Sequence, residues 1–415
     1  MNNNYSSNEL IYKKRLIINN VMPAVKSFPV IVITGARQVG KSTFLKNEFR
    51  DFKYINFDDY SYQEQAKKDP SSLWKDFDRI IIDEVQKVPE VLNAVKLAVD
   101  GSNKNIRFIL SGSSNLLLMK NVSETLAGRA AYFEMQPMTY AEIQGRGEGL
   151  FLHLWKKDFN LKEADNFKGA QAGYLPLIFK GFMPSLLNLN GEKEIVLWWE
   201  SYVRTYLERD LRELSQIDSL IDFRKVMVSL ALRTGNLLNQ SEIARDTGVS
   251  QPSVHRYVKL LEISNIIKQI PAFYSNKIKR IMKIPKIFFV DPALSVYLAG
   301  YYDTSHLKES RELGSFFETL VYLHLKVYSE LMTPKGQIFY YKTTAGKEVD
   351  FILEHGREIV AFEVKMTDNP VFEDAKNLIQ FIENFPNTIR GVVVHSGNGV
   401  KWLHSKVIAV PWQML

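Results

Sequence analysis

The sequence predicts an α/β protein: a parallel sheet covered on both faces, followed by two further modules. Three observations predict it. An apolar run at residues 30–33 enters a glycine-bordered turn and then a helical stretch at 41–50. Short strand-like runs at 54–57, 80–82 and 106–110 alternate with helical segments such as 90–99, and strands buried on both faces read as near-continuous apolar runs. From about residue 313 onward the order changes to helix, three strands, helix, strand.

A chain of 415 residues accommodates about two to three domains. With 46% hydrophobic and 24% charged residues it reads as an ordinary globular protein. The absence of cysteine excludes disulfides, thiolate zinc sites and cysteine nucleophiles, and permits the reducing cytoplasm expected here. The first residues are polar, nothing resembles a signal peptide, and no run approaches the roughly 20 apolar residues that span a bilayer. No membrane association is therefore expected. The histidines show no metal-binding spacing.

The turn after the first strand reads Gly35-Ala36-Arg37-Gln38-Val39-Gly40-Lys41-Ser42, a complete GxxxxGK[ST] pattern. Glycines let the backbone curl so that its N–H groups and the following helix N-terminus surround phosphate oxygens. Lys41 supplies a compact positive charge and Ser42 a hydroxyl for Mg²⁺, so ATP and Mg²⁺ are the expected cofactors. The strand at 80–82 ends in Asp83-Glu84, placing carboxylates at the sheet edge where α/β ligands bind. Asp83 is suited to hold the Mg²⁺ water shell and Glu84 to orient and deprotonate the attacking water.

These motifs, with the runs at 34–43 (through Thr43), 82–86, 110–115, 206–210, 233–239 and 348–350, resemble a family of prokaryotic AAA-type P-loop ATPases. In that family the ATPase is fused to a winged helix and a restriction-endonuclease-like C-terminal region. The resemblance covers nearly the whole chain. It implies that Ser113 or Ser114 senses the γ-phosphate, that residues 35–43 bind nucleotide, and that a homo-oligomer is possible. It also matches Leu126-Ala127-Gly128-Arg129 to a segment whose arginine senses phosphate charge, an ordinary ion pair being the alternative for Arg129.

Between residues 223 and 290 twelve basic residues face only Glu242, Asp246 and Glu262, a local excess above the +7 of the whole chain. Either this is a solvated surface or it is a footprint for nucleic acid. Residues 239–250 read as a short helix closed at Gly248, and Ser250 and Pro252 open a second helix at 251–261. That is helix-turn-helix spacing, with Val254, Val258 and Leu261 on the buried side. Ser253, His255, Arg256 and Lys259 fall on or near the other face, and lysine-rich strands including Lys277, Lys279 and Arg280 follow as wings. Double-stranded DNA is the expected partner, with protein docking the alternative for such a module.

Near the C-terminus, 348–353 and 358–365 read as a hairpin turning at His355-Gly356. Alternation puts Glu363 and Lys365 on one face, and a turn centred there puts Asp350 opposite 361–362, within diagonal reach of Glu363. Two carboxylates can bridge Mg²⁺ beside a lysine, and Glu318 can complete the set. This resembles the PD-(D/E)xK nuclease pattern, without a proline before Asp350. The alternative is a nuclease-like fold kept for binding, its acids in ion pairs. The expected organisation is an ATPase domain at 1–145, a helical connector at 146–222, a winged helix at 223–300 and a nuclease-like domain at 301–415.

Overall fold

The computed structural model describes residues 12–102, 105–112, 125–147, 149–165, 167, 172–210, 217–275, 280 and 283–415. The first sheet contains β1 (Val30–Gly35), β2 (Lys53–Asn56), β3 (Arg79–Asp83), β4 (Arg107–Ser111) and β5 (Ala130–Met135). All pairings are parallel, in the order β2-β3-β4-β1-β5. β1 is buried along its whole length, and β3 carries Asp83 at its C-terminal end.

Period-two alternation feeds two layers at once. Ile31, Ile33, Ile81 and Ile109 share a core with Val21, Phe44 and Leu45. Val30, Val32, Ile80, Ile82, Phe108 and Leu110 share another with Val91, Leu92, Val95 and Val99 of the helix Val91–Gly101. β5 has no counterpart in the sequence reading. Its residues are mostly half-buried, so it lacks the continuous apolar run that marks the inner strands.

A helix at Glu192–Tyr202 continues with a widened turn through Val203–Asp210. Next come the helices Leu220–Ala231, Gln240–Thr247 and Gln251–Ile263. Asn239 accepts from the Glu242 N–H (3.2 Å), Gly248 ends the second of these helices in the left-handed region, and Ser250 accepts from the Ser253 N–H (3.4 Å). The third helix leads into an antiparallel ribbon of β6 (Ile267–Ile270) and β7 (Lys286–Phe289).

The second large sheet has the order β12-β13-β11-β10-β9-β8. Its strands are β8 (Gln337–Lys342), β9 (Glu348–His355), β10 (Glu358–Lys365), β11 (Thr388–His395), β12 (Lys401–His404) and β13 (Val407–Pro411). β8, β9 and β10 form an antiparallel meander, whereas β11 is parallel to both β10 and β13. The β9–β10 ladder turns at 356–357 and reaches Phe362 opposite Phe351, so Asp350 and Glu363 are the next pair in line. Asp350 thus faces Glu363 directly rather than diagonally, one residue from the expected register.

The modules share one continuous core, which runs from Leu16 to Leu415 and has the helix Leu313–Leu331 at its centre. His324 on that helix is fully buried. Its Nδ1 donates to the Leu320 carbonyl (2.8 Å), and its Nε2 accepts from the Tyr140 N–H of the N-terminal unit (3.0 Å). Burial pulls its pKa down to about 4, so it folds neutral. The unfolded chain takes up this proton below about 6.5, and the stabilisation is complete above that pH and lost as pH falls toward 4. Between pH 7 and 4.5 the unfolding free energy should fall about 2 kcal/mol further in the native protein than in His324→Gln. Equal pH slopes in denaturant titrations would reject this assignment.

Candidate functional site

The glycine-bordered turn sits at the C-terminal end of the central strand. Gly35 has φ 151°, and a Cβ there would run into the Met135 carbonyl oxygen; Gly40 has φ 92°. Glycine is required at both positions. Gln38 takes φ 68° without being glycine, and its side chain accepts from the Ser185 hydroxyl (3.2 Å). Lys41 is buried, and its ammonium folds back onto the Gly35 and Ala36 carbonyls at 3.1 and 3.0 Å. Burial lowers its pKa to about 8, against the pull of Glu84 and Asp83.

Asp83 is buried and accepts from the Tyr54 hydroxyl at 2.5 Å. Ser42 hydrogen-bonds to the same phenol. Glu84 has φ 55° and accepts from the Gln86 amide. Burial, then Asp83, raises its pKa, which suits a carboxylate that takes a proton from water. The donors offered to a cation are a hydroxyl and a carboxylate, hard oxygen groups that fit Mg²⁺.

Several residues at this site carry no local sequence signal. Arg15 donates to the Val39 carbonyl (2.7 Å) and the Gln136 carbonyl (2.6 Å), bracing the turn from the N-terminal segment. A cleft of about 360 Å³ opens beside Lys41, and Tyr12, Lys13, Met138, Pro184 and Leu187 help to line it. Tyr202 donates to the Arg37 carbonyl (3.4 Å), and the Arg37 guanidinium lies 5.7 Å from the Tyr206 ring centre. The Tyr206 hydroxyl donates to the carbonyl of Ser264, the residue that ends the helix Gln251–Ile263 (3.2 Å).

Arg129 is not at this site. It immediately precedes β5, whereas the turn follows the other end of β1, about 16 Å away at roughly 3.3 Å per residue. Its guanidinium is bidentate to Asp100 at 2.7 and 2.9 Å. The ion-pair alternative holds, and Arg129 cannot touch a nucleotide bound to its own chain. Ser113 and Ser114 lie outside the described residues.

On the helix Gln251–Ile263, Val254, Tyr257, Val258 and Leu261 are buried, while His255, Arg256 and Lys259 are exposed. Arg256 pairs with Asp218 (2.5 Å), His255 meets Gln240 (3.2 Å), and Ser253 is half-buried in the helix cap. Lys277 and Lys279 lie outside the described residues. Arg280 departs from the expected DNA face. It is buried between the Phe273 and Phe339 rings, 4.6 Å from each, and bidentate to Glu354 at 2.6 and 3.1 Å. Lys268 turns inward to Glu134 of β5 (2.7 Å), and Lys286 is buried too. Part of the local charge excess is therefore neutralised inside the molecule.

The structure brings Glu318, Asp350, Glu363 and Lys365 together. Lys365 meets Glu363 at 2.9 Å, and Asp350 accepts from the Val364 N–H at 2.8 Å. Burial, opposed by the neighbouring lysines, raises the pKa of all three carboxyls. Two members were missed in the sequence. Glu348 and Lys286 complete the cluster, and the Lys286 ammonium lies 2.7 Å from Glu348, 3.1 Å from Glu318 and 4.0 Å from Asp350. Among the described residues no group of three or more His, Cys, Asp or Glu is arranged to hold a metal ion. The Mg²⁺ expected at Asp350 and Glu363 does not fit the cluster as it stands.

Lys41 must be protonated to meet phosphate charge. ATP affinity should hold up to about pH 7 and weaken about tenfold between pH 7 and 9, because binding then includes proton uptake. Lys41→Ala should bind about ten- to a hundredfold more weakly at pH 7 and lose this pH dependence. Calorimetry reads both, and undiminished affinity in the variant would remove the lysine from the site.

Residues 27–144 match the family model of the AAA domain, residues 172–305 a domain of unknown function (DUF8612) and residues 313–415 another (DUF4143). The chain is 25% identical over 405 residues to the uncharacterized protein Rv2008c of Mycobacterium tuberculosis, covering 97% of this chain and 84% of that one. It is 26% identical over 367 residues to the uncharacterized protein MJ1544 of Methanocaldococcus jannaschii, covering 83% and 76%. Among solved structures, the Walker-type ATPase PABY2304 of Pyrococcus abyssi is similar at a TM-score of 0.43 and 16% identity, over 68% of this chain and 93% of that one. No helix among the described residues is long and apolar enough to cross a membrane. With a complete phosphate-binding turn on its central strand and an acidic pair on β3, the N-terminal unit of this chain is an AAA-type ATPase domain, which binds and hydrolyses ATP.

Proposed function

We propose that this chain is a cytoplasmic, Mg²⁺-dependent ATPase that uses its nucleotide state to control a DNA-binding winged helix and a nuclease-like C-terminal module. Lys41 and the turn hold the phosphates, Ser42 and Asp83 hold Mg²⁺, and Glu84 activates water. Bound Mg²⁺ supplies charge neutralisation on the phosphates. In this reading residues 223–300 are the winged helix: His255, Arg256 and Lys259 present the exposed face of Gln251–Ile263 to the major groove. The observation that carries the reading is the Tyr206 bridge, which touches the phosphate-binding turn at Arg37 and the recognition helix at Ser264.

The second reading is an ATP-switched DNA-binding protein whose nuclease-like module is silent. Lys286 in the midst of the carboxylates favours it for the chain in this conformation. The helix, meander and parallel strands at 313–411 support the restriction-endonuclease-like assignment by their order alone.

Three measurements test the proposal. Glu84→Gln should keep ATP affinity within about twofold while turnover falls by about 10²–10⁴; unchanged turnover would take the base role from Glu84. Duplex DNA should accelerate ATP turnover in the native protein. Arg256→Ala and Lys259→Ala should each weaken duplex binding across sequences and lower its salt slope by about one. Turnover indifferent to DNA, with no salt-dependent duplex binding, would sink the DNA reading.

A further inference from the structure

The acids at the C-terminal cluster come from three elements of one module: Glu318 from the helix Leu313–Leu331, Glu348 and Asp350 from β9, and Glu363 from β10. Their central cation comes from another module. Lys286 starts β7 of the two-stranded ribbon, and its side chain is 5% exposed.

The seat of this lysine is built. The Lys286 ammonium lies 5.9 Å from the Tyr340 ring centre. Gly235 donates to the Ile287 carbonyl (2.7 Å) and lies so near Glu318 that an added Cβ would stand 3.3 Å from its Oε2. The ribbon is docked beside it on the edge strand β8, where the Phe273 N–H donates to the Tyr340 carbonyl (2.6 Å) and Tyr340 donates to Pro271 (3.1 Å). The cluster holds one fewer lysine than carboxyl groups. Lys286, Lys342 and Lys365 are the lysines paired with its four carboxylates. Glu363 Oε2 is buried with no hydrogen-bond partner, inside a residue only 5% exposed.

We propose that Lys286 is a built-in plug: it takes the central place among Glu318, Glu348 and Asp350 that a divalent cation would need, and the cluster accepts a metal only when β7 withdraws. Removing the ammonium leaves hard oxygen donors with a surplus of negative charge, the donor set that Mg²⁺ and Mn²⁺ prefer. Burying carboxylates without a counter-charge is costly, so lysine and metal compete for one position. The ribbon that carries Lys286 is also tied to the ATPase sheet, because Lys268 on the paired strand β6 is held by Glu134 of β5. This inference rests on the nuclease-like reading only for the use of the metal, not for its exclusion.

The test is Mn²⁺ binding to the full-length protein without nucleotide, read by the loss of the free-ion paramagnetic resonance signal and by the metal-induced rise in unfolding temperature. Weak binding near Asp83 is common to every variant and subtracts. Lys286→Met should gain one site at least tenfold tighter than anything in the native protein, and adding Glu363→Gln should remove it. Lys286→Arg should gain none. If Lys286→Met does not fold, Lys286→Gln carries the same expectation. Native protein that binds Mn²⁺ at the cluster as tightly as the variant would overturn the plug, as would a folded variant that gains no site. A variant that gains the metal but leaves duplex DNA intact keeps the plug and removes the nuclease-like reading.

Discussion

A charge taken out of water needs a partner, and in this molecule some buried charges find theirs within a module and others across module boundaries. Arg15 braces the phosphate-binding turn and sits 3.2 Å from Glu142. Lys268 reaches from the ribbon to Glu134 in the first sheet, while Arg280 and Lys286 reach from the ribbon segment into the second sheet. Breaking a buried pair by removing one partner costs about 3–5 kcal/mol, because the survivor is left without compensation. The relative placement of the modules is therefore set by a few ion pairs laid over one shared apolar core.

The nucleotide site follows the same rule on a smaller scale. Lys41 is buried, and its ammonium donates to two carbonyls of its own turn. Asp83 is buried as well, and the Tyr54 hydroxyl supplies its partner. Both groups are thus satisfied by hydrogen bonds within the protein.

The order strand, turn, helix and acidic strand end was legible because each part leaves a local pattern: a continuous apolar run, two glycines at fixed spacing, and carboxylates closing a run of isoleucines. Val254, Val258 and Leu261 were legible for the same reason, as one face of a helix. What escaped the sequence was long-range. β5 is half-buried and patternless, Tyr54 reaches Asp83 only through strand pairing, and Arg15 meets the turn across 24 residues. Composition misled where it counted charges without directions. A lysine-rich stretch looks alike whether its side chains face solvent or, like Arg280 and Lys286, an acidic interior.

Tyr206 gives the widened turn at Val203–Asp210 a mechanical meaning. Its ring lies against a residue of the phosphate-binding turn, while its hydroxyl grips the last carbonyl of a helix in a different module. The side chain is stiff and 4% exposed, so it has little room to swing independently. A displacement of Arg37 would have to part that ring contact or be felt at the far helix. A single phenol thus touches both the phosphate-binding turn and the end of a helix in another module.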